Sequence, residues 1–140
     1  MTNFNVAILE KALANRPEVA AAYLFGSSAK GDPSARDLDI LILLGPDGNA
    51  GDAWFDLVAC LSDACGISED QIDLLFFDTN EANPTVLYEA LSTGVLLKNS
   101  DPDMLGDRID ALSRYFLQNE AMIERANRLK QERLEDFYGN

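Results

Sequence analysis

The chain has no histidine, two cysteines, and 11 lysines and arginines against 24 aspartates and glutamates, a formal net charge of −13 over 140 residues. Each shortage removes a class of function. With Cys60 and Cys65 as the only thiolate donors and no imidazole, a tetrahedral zinc site of cysteine and histidine cannot be assembled. Both cysteines lie beside Leu57, Val58 and Leu61 in one apolar stretch, which assigns them to core packing; nothing points to the oxidising compartment a disulfide would need. The acidity argues against nucleic acid as substrate, because phosphate backbones are met by clustered Lys and Arg. It favours a basic partner. No apolar run approaches the roughly 20 residues needed to cross a bilayer, and no basic-then-apolar leader opens the chain. A cytoplasmic location is therefore expected.

What is present is one domain's worth of globular composition, 47% hydrophobic and 25% charged, enough to bury a core. Apolar residues at Phe4, Ile8, Leu9, Ala12 and Leu13 have helical spacing, and Pro17 stops the helix. Val19 to Phe25 is a short apolar run ending at Gly26, read as a buried strand. Ser27 and Ser28 open at most a turn or two of helix before Gly31, Asp32 and Pro33. Leu38 to Leu44 is apolar apart from Asp39, the profile of a strand covered on both faces.

Asp52 is expected to cap a helix from Ala53 to Ala64, with Trp54, Leu57, Val58 and Leu61 inward and Gly66 ending it. Gln71 to Phe77 reads as a third strand. Asn83-Pro84 caps and opens a helix containing Val86, Leu87 and Leu91 that closes at Gly94. Val95 to Leu97 is a fourth, short strand, and Asp101-Pro102 starts a long helix expected to reach about Asp136. No repeat, low-complexity segment or linker divides the chain. The expectation is a single domain over 1–140, with a core at 19–101 and a C-terminal helix at about 102–136.

One stretch carries chemistry. In GSSAKGDPSARDLDI, Gly26 to Ile40, a Gly-Ser turn is followed by Asp37 and Asp39, spaced to leave the same side of an extended segment. An acid inside an apolar strand is costly unless it is paired or metal-bound. Asp73 is a second such acid, on another expected strand; its alternative is a strand-edge acid facing water. Magnesium takes hard oxygen ligands and bridges carboxylates to nucleotide phosphates. Two such ions can activate a hydroxyl and stabilise a leaving pyrophosphate. Asp37 and Asp39 would hold metal, and Asp73 would complete a shell or accept the proton of the attacking hydroxyl. Gly26 lets the backbone approach phosphates and Ser27 can donate to them. Between Pro17 and Leu97 the only cations are Lys30 and Arg36, both in the intervening loop; they either contact the triphosphate or balance Asp32 and Asp37.

This stretch resembles the Gly-Ser…Asp-x-Asp signature of the DNA polymerase β-like nucleotidyltransferases, and within them the minimal nucleotidyltransferases (MNT). The likeness extends through IDLLFFDTNEANPTVLYEALSTGVLLKNSD, covering roughly Val19 to Asp101. Ser28 stands where the family often has Arg, Lys30 where a second Arg is common, and Arg36 where Ser often precedes the first aspartate. All three acids are intact. The resemblance implies an α/β fold, a mixed sheet of the polymerase β palm type with flanking helices, that binds ATP with Mg2+. It also implies a partner, a HEPN-domain ribonuclease toxin, whose tyrosine such antitoxins AMPylate. On that pattern Gly26 and Ser27 bind nucleotide and Asp37, Asp39 and Asp73 bind metal. Two other readings stay open: an antitoxin acting by binding alone, and a small-molecule nucleotidyltransferase, which usually carries an added substrate domain.

Overall fold

In a computed structural model of the protein, residues 5–26, 29, 37–46, 48–77, 83–118 and 128 are described. The chain divides into two compact units, Met1–Leu105 and Gly106–Asn140.

The first unit is built on a four-stranded mixed sheet. β1 (Val19–Phe25) and β2 (Leu38–Leu44) run antiparallel, β3 (Ile72–Phe76) runs parallel to β2, and β4 (Val95–Asn99) runs antiparallel to β1, giving the order β3-β2-β1-β4. The parallel β2–β3 pair needs a crossover, which helix α2 (Ala50–Cys65) and a 3₁₀ turn at Glu69–Gln71 supply. Helix α1 (Val6–Ala14) precedes the sheet and α3 (Pro84–Thr93) joins β3 to β4.

Caps set the helix limits. Asn5 Oδ1 accepts from Ala7 N–H at 2.9 Å to open α1, and Asn83 Oδ1 accepts from Thr85 N–H at 2.8 Å with Pro84 in the first turn of α3. α2 starts earlier than its sequence suggested. Its cap is Asn49, whose Oδ1 accepts from Asp52 N–H at 3.2 Å, so Asp52 lies within the first turn, where an acid complements the helix dipole. Gly66, in the left-handed conformation, ends it as expected. At Gly94 a Cβ would collide with the Ala90 carbonyl and lie 2.9 Å from the Leu24 carbonyl; only glycine lets α3 turn this tightly into β4.

Alternation sorts β2 into two faces. Leu38, Ile40, Ile42 and Leu44 share one cluster with Leu9, Leu13, Leu57, Val58, Leu61, Ile72 and Phe76, so α1 and α2 cover that face. Asp39, Leu41 and Leu43 look the other way. Trp54 is 39% exposed rather than inward, because Ala53, Leu57, Val58 and Leu61 already form the buried stripe of α2. Ile8 and Val86 are likewise exposed beside the buried Leu9 and Leu87. Cys60 and Cys65 are free thiols at partly buried positions; burial, with Cys60 nearby, pushes the Cys65 thiol up.

Lys98 on β4 closes the end of α1. Its Nζ donates to the carbonyls of Leu13 at 3.1 Å and Arg16 at 2.7 Å, which an isolated helix end would leave open. Burial holds the Lys98 ammonium below its ordinary range. No buried side-chain nitrogen or oxygen among the described residues lacks a partner.

Beyond β4, residues 102–118 are helical, opened by Asp101, whose Oδ1 accepts from Met104 N–H at 3.1 Å. In the second unit Tyr115 and Phe116 meet edge to face with centroids 5.6 Å apart. The expected extension to Asp136 falls outside the described residues. No described helix is long and apolar enough to cross a membrane.

Candidate active site

The acids meet where β1, β2 and β3 lie side by side. Asp39 is the register partner of Asp73 across the parallel β2–β3 ladder and of Phe25 across the antiparallel β1–β2 ladder. Neighbouring strands lie about 4.8 Å apart, and register partners project to the same face. The two carboxylates therefore share one face of the sheet, opposite the side covered by α1 and α2. Asp37 sits exposed just before β2, and Asp73 is exposed on the edge strand.

Asp39 is the constrained member. It is partly buried, and its carboxyl is held above the usual carboxylate range, first by burial, then by the charges of Asp73 and Asp37. Described cations within Met1–Leu105 lie elsewhere. Lys98 is committed to α1, and Arg16 donates to the Asp56 carbonyl at 3.4 Å and pairs with Glu18 at 3.8 Å.

The turn after β1 closes on the same carboxylate. Gly26 has φ +76°, and a Cβ there would overlap Asp39 Oδ2 and approach Cγ at 3.3 Å. Two constraints thus select glycine at this position: a left-handed backbone and direct packing of the turn on the acid. Only an approach to phosphates follows from the sequence motif; the second constraint depends on tertiary structure.

Exposure changes along this face. Leu43, Leu41 and Ala21 are each 1% exposed, whereas Tyr23, Phe25 and Asp39 are partly exposed and Asp37 is exposed. The face is sealed at one end and opens toward the Gly26 turn. Tyr23 and Phe25, unremarked in the sequence, line the opening beside Asp39; desolvation pushes the Tyr23 phenol up. Their signal was the period of two that puts Tyr23 and Phe25 on one side of β1.

The donors fit a hard divalent cation such as Mg2+: all are carboxylate oxygens, and their mutual repulsion is what a cation would relieve. Among the described residues no group of three His, Cys, Asp or Glu side chains forms a metal cage by itself. Mg2+ takes one or two carboxylates and fills the rest of its shell with substrate phosphates and water. Ser27, Lys30 and Arg36 lie outside the described residues.

Comparison with known proteins follows the same lines. No curated protein matches the chain. By fold it is similar to a chain of a toxin–antitoxin crystal structure with AMP-PNP, at 24% identity over 87% of this chain and 98% of that one, TM-score 0.61. It is similar to a chain of the toxin–antitoxin pair MntA–HepT, at 22% identity over 86% and 95%, TM-score 0.55. A third similar chain comes from a tri-AMPylated Shewanella oneidensis HEPN toxin in complex with MNT antitoxin, at 20% identity over 87% and 98%, TM-score 0.55. The sequence profile described as Polymerase beta, Nucleotidyltransferase matches residues 8–103, from α1 through the acid-bearing strands and past β4. With that match over most of its length, and a mixed sheet that sets Asp39 beside Asp73, the chain belongs to the polymerase β nucleotidyltransferase family.

Proposed function

We propose that this protein is an antitoxin that transfers AMP from ATP, with Mg2+, to a tyrosine of a co-encoded HEPN ribonuclease toxin. The observation that carries the reading is the in-register Asp39–Asp73 pair with the Gly26 turn packed on it, in a nucleotidyltransferase-family domain. Support for the acceptor comes from chains of similar fold in toxin–antitoxin complexes, one with AMP-PNP and one with an AMPylated HEPN toxin.

In this reading the Gly26 turn, with Ser27, Lys30 and Arg36, seats the triphosphate, and Asp37 and Asp39 would hold the cation, with Asp73 beside Asp39. Bound Mg2+ would supply Lewis acidity to the phosphoryl oxygens and neutralise the leaving pyrophosphate. The tyrosine oxygen attacks the α-phosphorus, the bond from that phosphorus to the bridging oxygen breaks, and pyrophosphate departs. Asp73, the exposed acid on the edge strand, takes the phenolic proton.

The test is incubation of the purified chain with its toxin partner, Mg2+ and α-labelled ATP. Label on the toxin, lost with Asp37→Asn or Asp39→Asn, is expected. Neutralisation that persists without label in both variants would establish inhibition by binding alone.

A further inference from the structure

We infer that the protein acceptor docks as an added strand on the outer edge of β3, paired through the backbone of Leu74; this rests on the transfer reading above. β3 is a terminal strand of the sheet, and no described strand covers its outer side. Phe77 N–H donates to the Ile42 carbonyl at 2.9 Å, and Ile42 is the partner of Phe76. In a parallel ladder successive residues alternate between directing both backbone groups to the neighbouring strand and directing both away. Asp73, Leu75 and Phe77 therefore face β2, and Leu74 turns its N–H and its carbonyl outward. That donor–acceptor pair is what one residue of an antiparallel strand needs to exchange two hydrogen bonds.

The edge is adjacent to the chemistry. A residue paired beside Asp73 would project to the acid face with its Cβ about 5 Å from that of Asp73, so an aromatic hydroxyl reaches over the carboxylates. The opposite flank of Asp39 is taken by Phe25 and the Gly26 turn, which leaves the β3 side for the acceptor. Charge defines the segment. Glu69, Asp70 and Asp73 are exposed along this edge, and no Lys or Arg occurs from 37 to 97. The occupant is an extended, basic segment carrying the modified residue.

Two measurements test this on the intact chain and its full-length toxin partner. Amide hydrogen exchange should show Leu74 N–H exchanging freely in the free chain and at least about tenfold more slowly in the complex. Replacing Leu74 by its α-hydroxy analogue turns that N–H into an ester oxygen and keeps the side chain and every inward N–H donor, at the cost of a weaker Asp73 carbonyl acceptor toward β2. It should raise KM for the toxin about three- to tenfold, the range of one hydrogen bond, with kcat and Mg·ATP affinity unchanged. Transfer with an unchanged KM in the ester variant overturns the docking alone. So does protection of Leu74 already in the free chain, which would mean that a second copy or the chain itself covers the edge. No label on the toxin from the wild-type chain removes the transfer reading and the docking with it.

Discussion

β2 has two faces that obey opposite rules. On one, Leu38, Ile40, Ile42 and Leu44 sit in a cluster closed by α1 and α2. On the other, two residues along from the buried Leu41, Asp39 is held partly out of water beside Asp73 and near Asp37. The first face maximises burial and leaves no described buried polar atom unpaired. The second accepts crowded like charges with no described cation committed to them. The same seven residues therefore store stability on one side and electrostatic tension on the other. Such a local violation marks a functional site when everything around it is consistent.

The comparison is broken most directly at Asp39. In the Asp39→Asn variant, transfer should fall about 10³-fold or more, since a lost metal-binding carboxylate forfeits several kcal/mol of transition-state stabilisation. The thermal midpoint should stay the same or rise, because the change removes a desolvated charge that two others repel. A parallel assay of label transfer and calorimetric unfolding reads both. Loss of activity accompanied by a large drop in midpoint would mean that Asp39 is structural.

On the face covered by α1 and α2 the effects reverse. Leu57 is fully buried in the cluster, and Leu57→Ala should cost about 3 kcal/mol of unfolding free energy, within the range for cavity-forming changes. The transfer rate measured well below the midpoint should hardly move. Denaturant titration beside the label assay checks this.

Gly26→Ala falls between the two, because this residue serves both stability and the site. The left-handed φ of +76° costs an L-residue about 1 kcal/mol, and the new methyl must displace the Asp39 carboxylate. Transfer should therefore fall by more than that strain accounts for, roughly tenfold or more, while the midpoint drops modestly. Equal losses in both would remove the contact with Asp39 from the explanation.

Much of the fold could be read along the chain, and particular residues show why. β1 and β2 have the expected limits, Val19–Phe25 and Leu38–Leu44, because continuous apolar runs bounded by glycine or polar residues leave little choice. Asn83-Pro84 and Gly94 bound α3 for equally local reasons. The start of α2 was misread because Asp52 and Asn49 are both good caps, and Asn49 prevails by placing its side chain on the Asp52 amide. Trp54 was misplaced because a helix with four buried small and branched residues has no room for it inward. For the site, the residue types and spacing of Asp37, Asp39 and Asp73 were visible. The register that puts Asp39 beside Asp73 was not, since strand pairing across a separation of 34 positions leaves no local signal. Neither was the packing of Gly26 on Asp39, nor the place of Phe25 next to it.

The smallest expected effect is also the most direct measure of the stored charge. Asp39 has its folded-state pKa raised above the unfolded value, so the native state keeps this proton to higher pH than the unfolded chain does. Its contribution to stability is then fully present below the ordinary carboxylate pKa and is lost as pH rises through the raised one. Wild type should therefore lose stability relative to Asp39→Asn across that acidic window and hold a constant deficit above it. The difference is modest, because a partly exposed carboxylate is screened by solvent. Mg2+ at neutral pH should recover the deficit in wild type and move the variant less, since Asp39→Asn removes one of the carboxylates that gain from a cation. Paired unfolding curves in the acidic range and with Mg2+ at neutral pH read the effect. If the two proteins follow one pH curve, neither burial nor the neighbouring acids perturb Asp39 in the folded state, and the electrostatic side of the contrast between the faces of β2 falls.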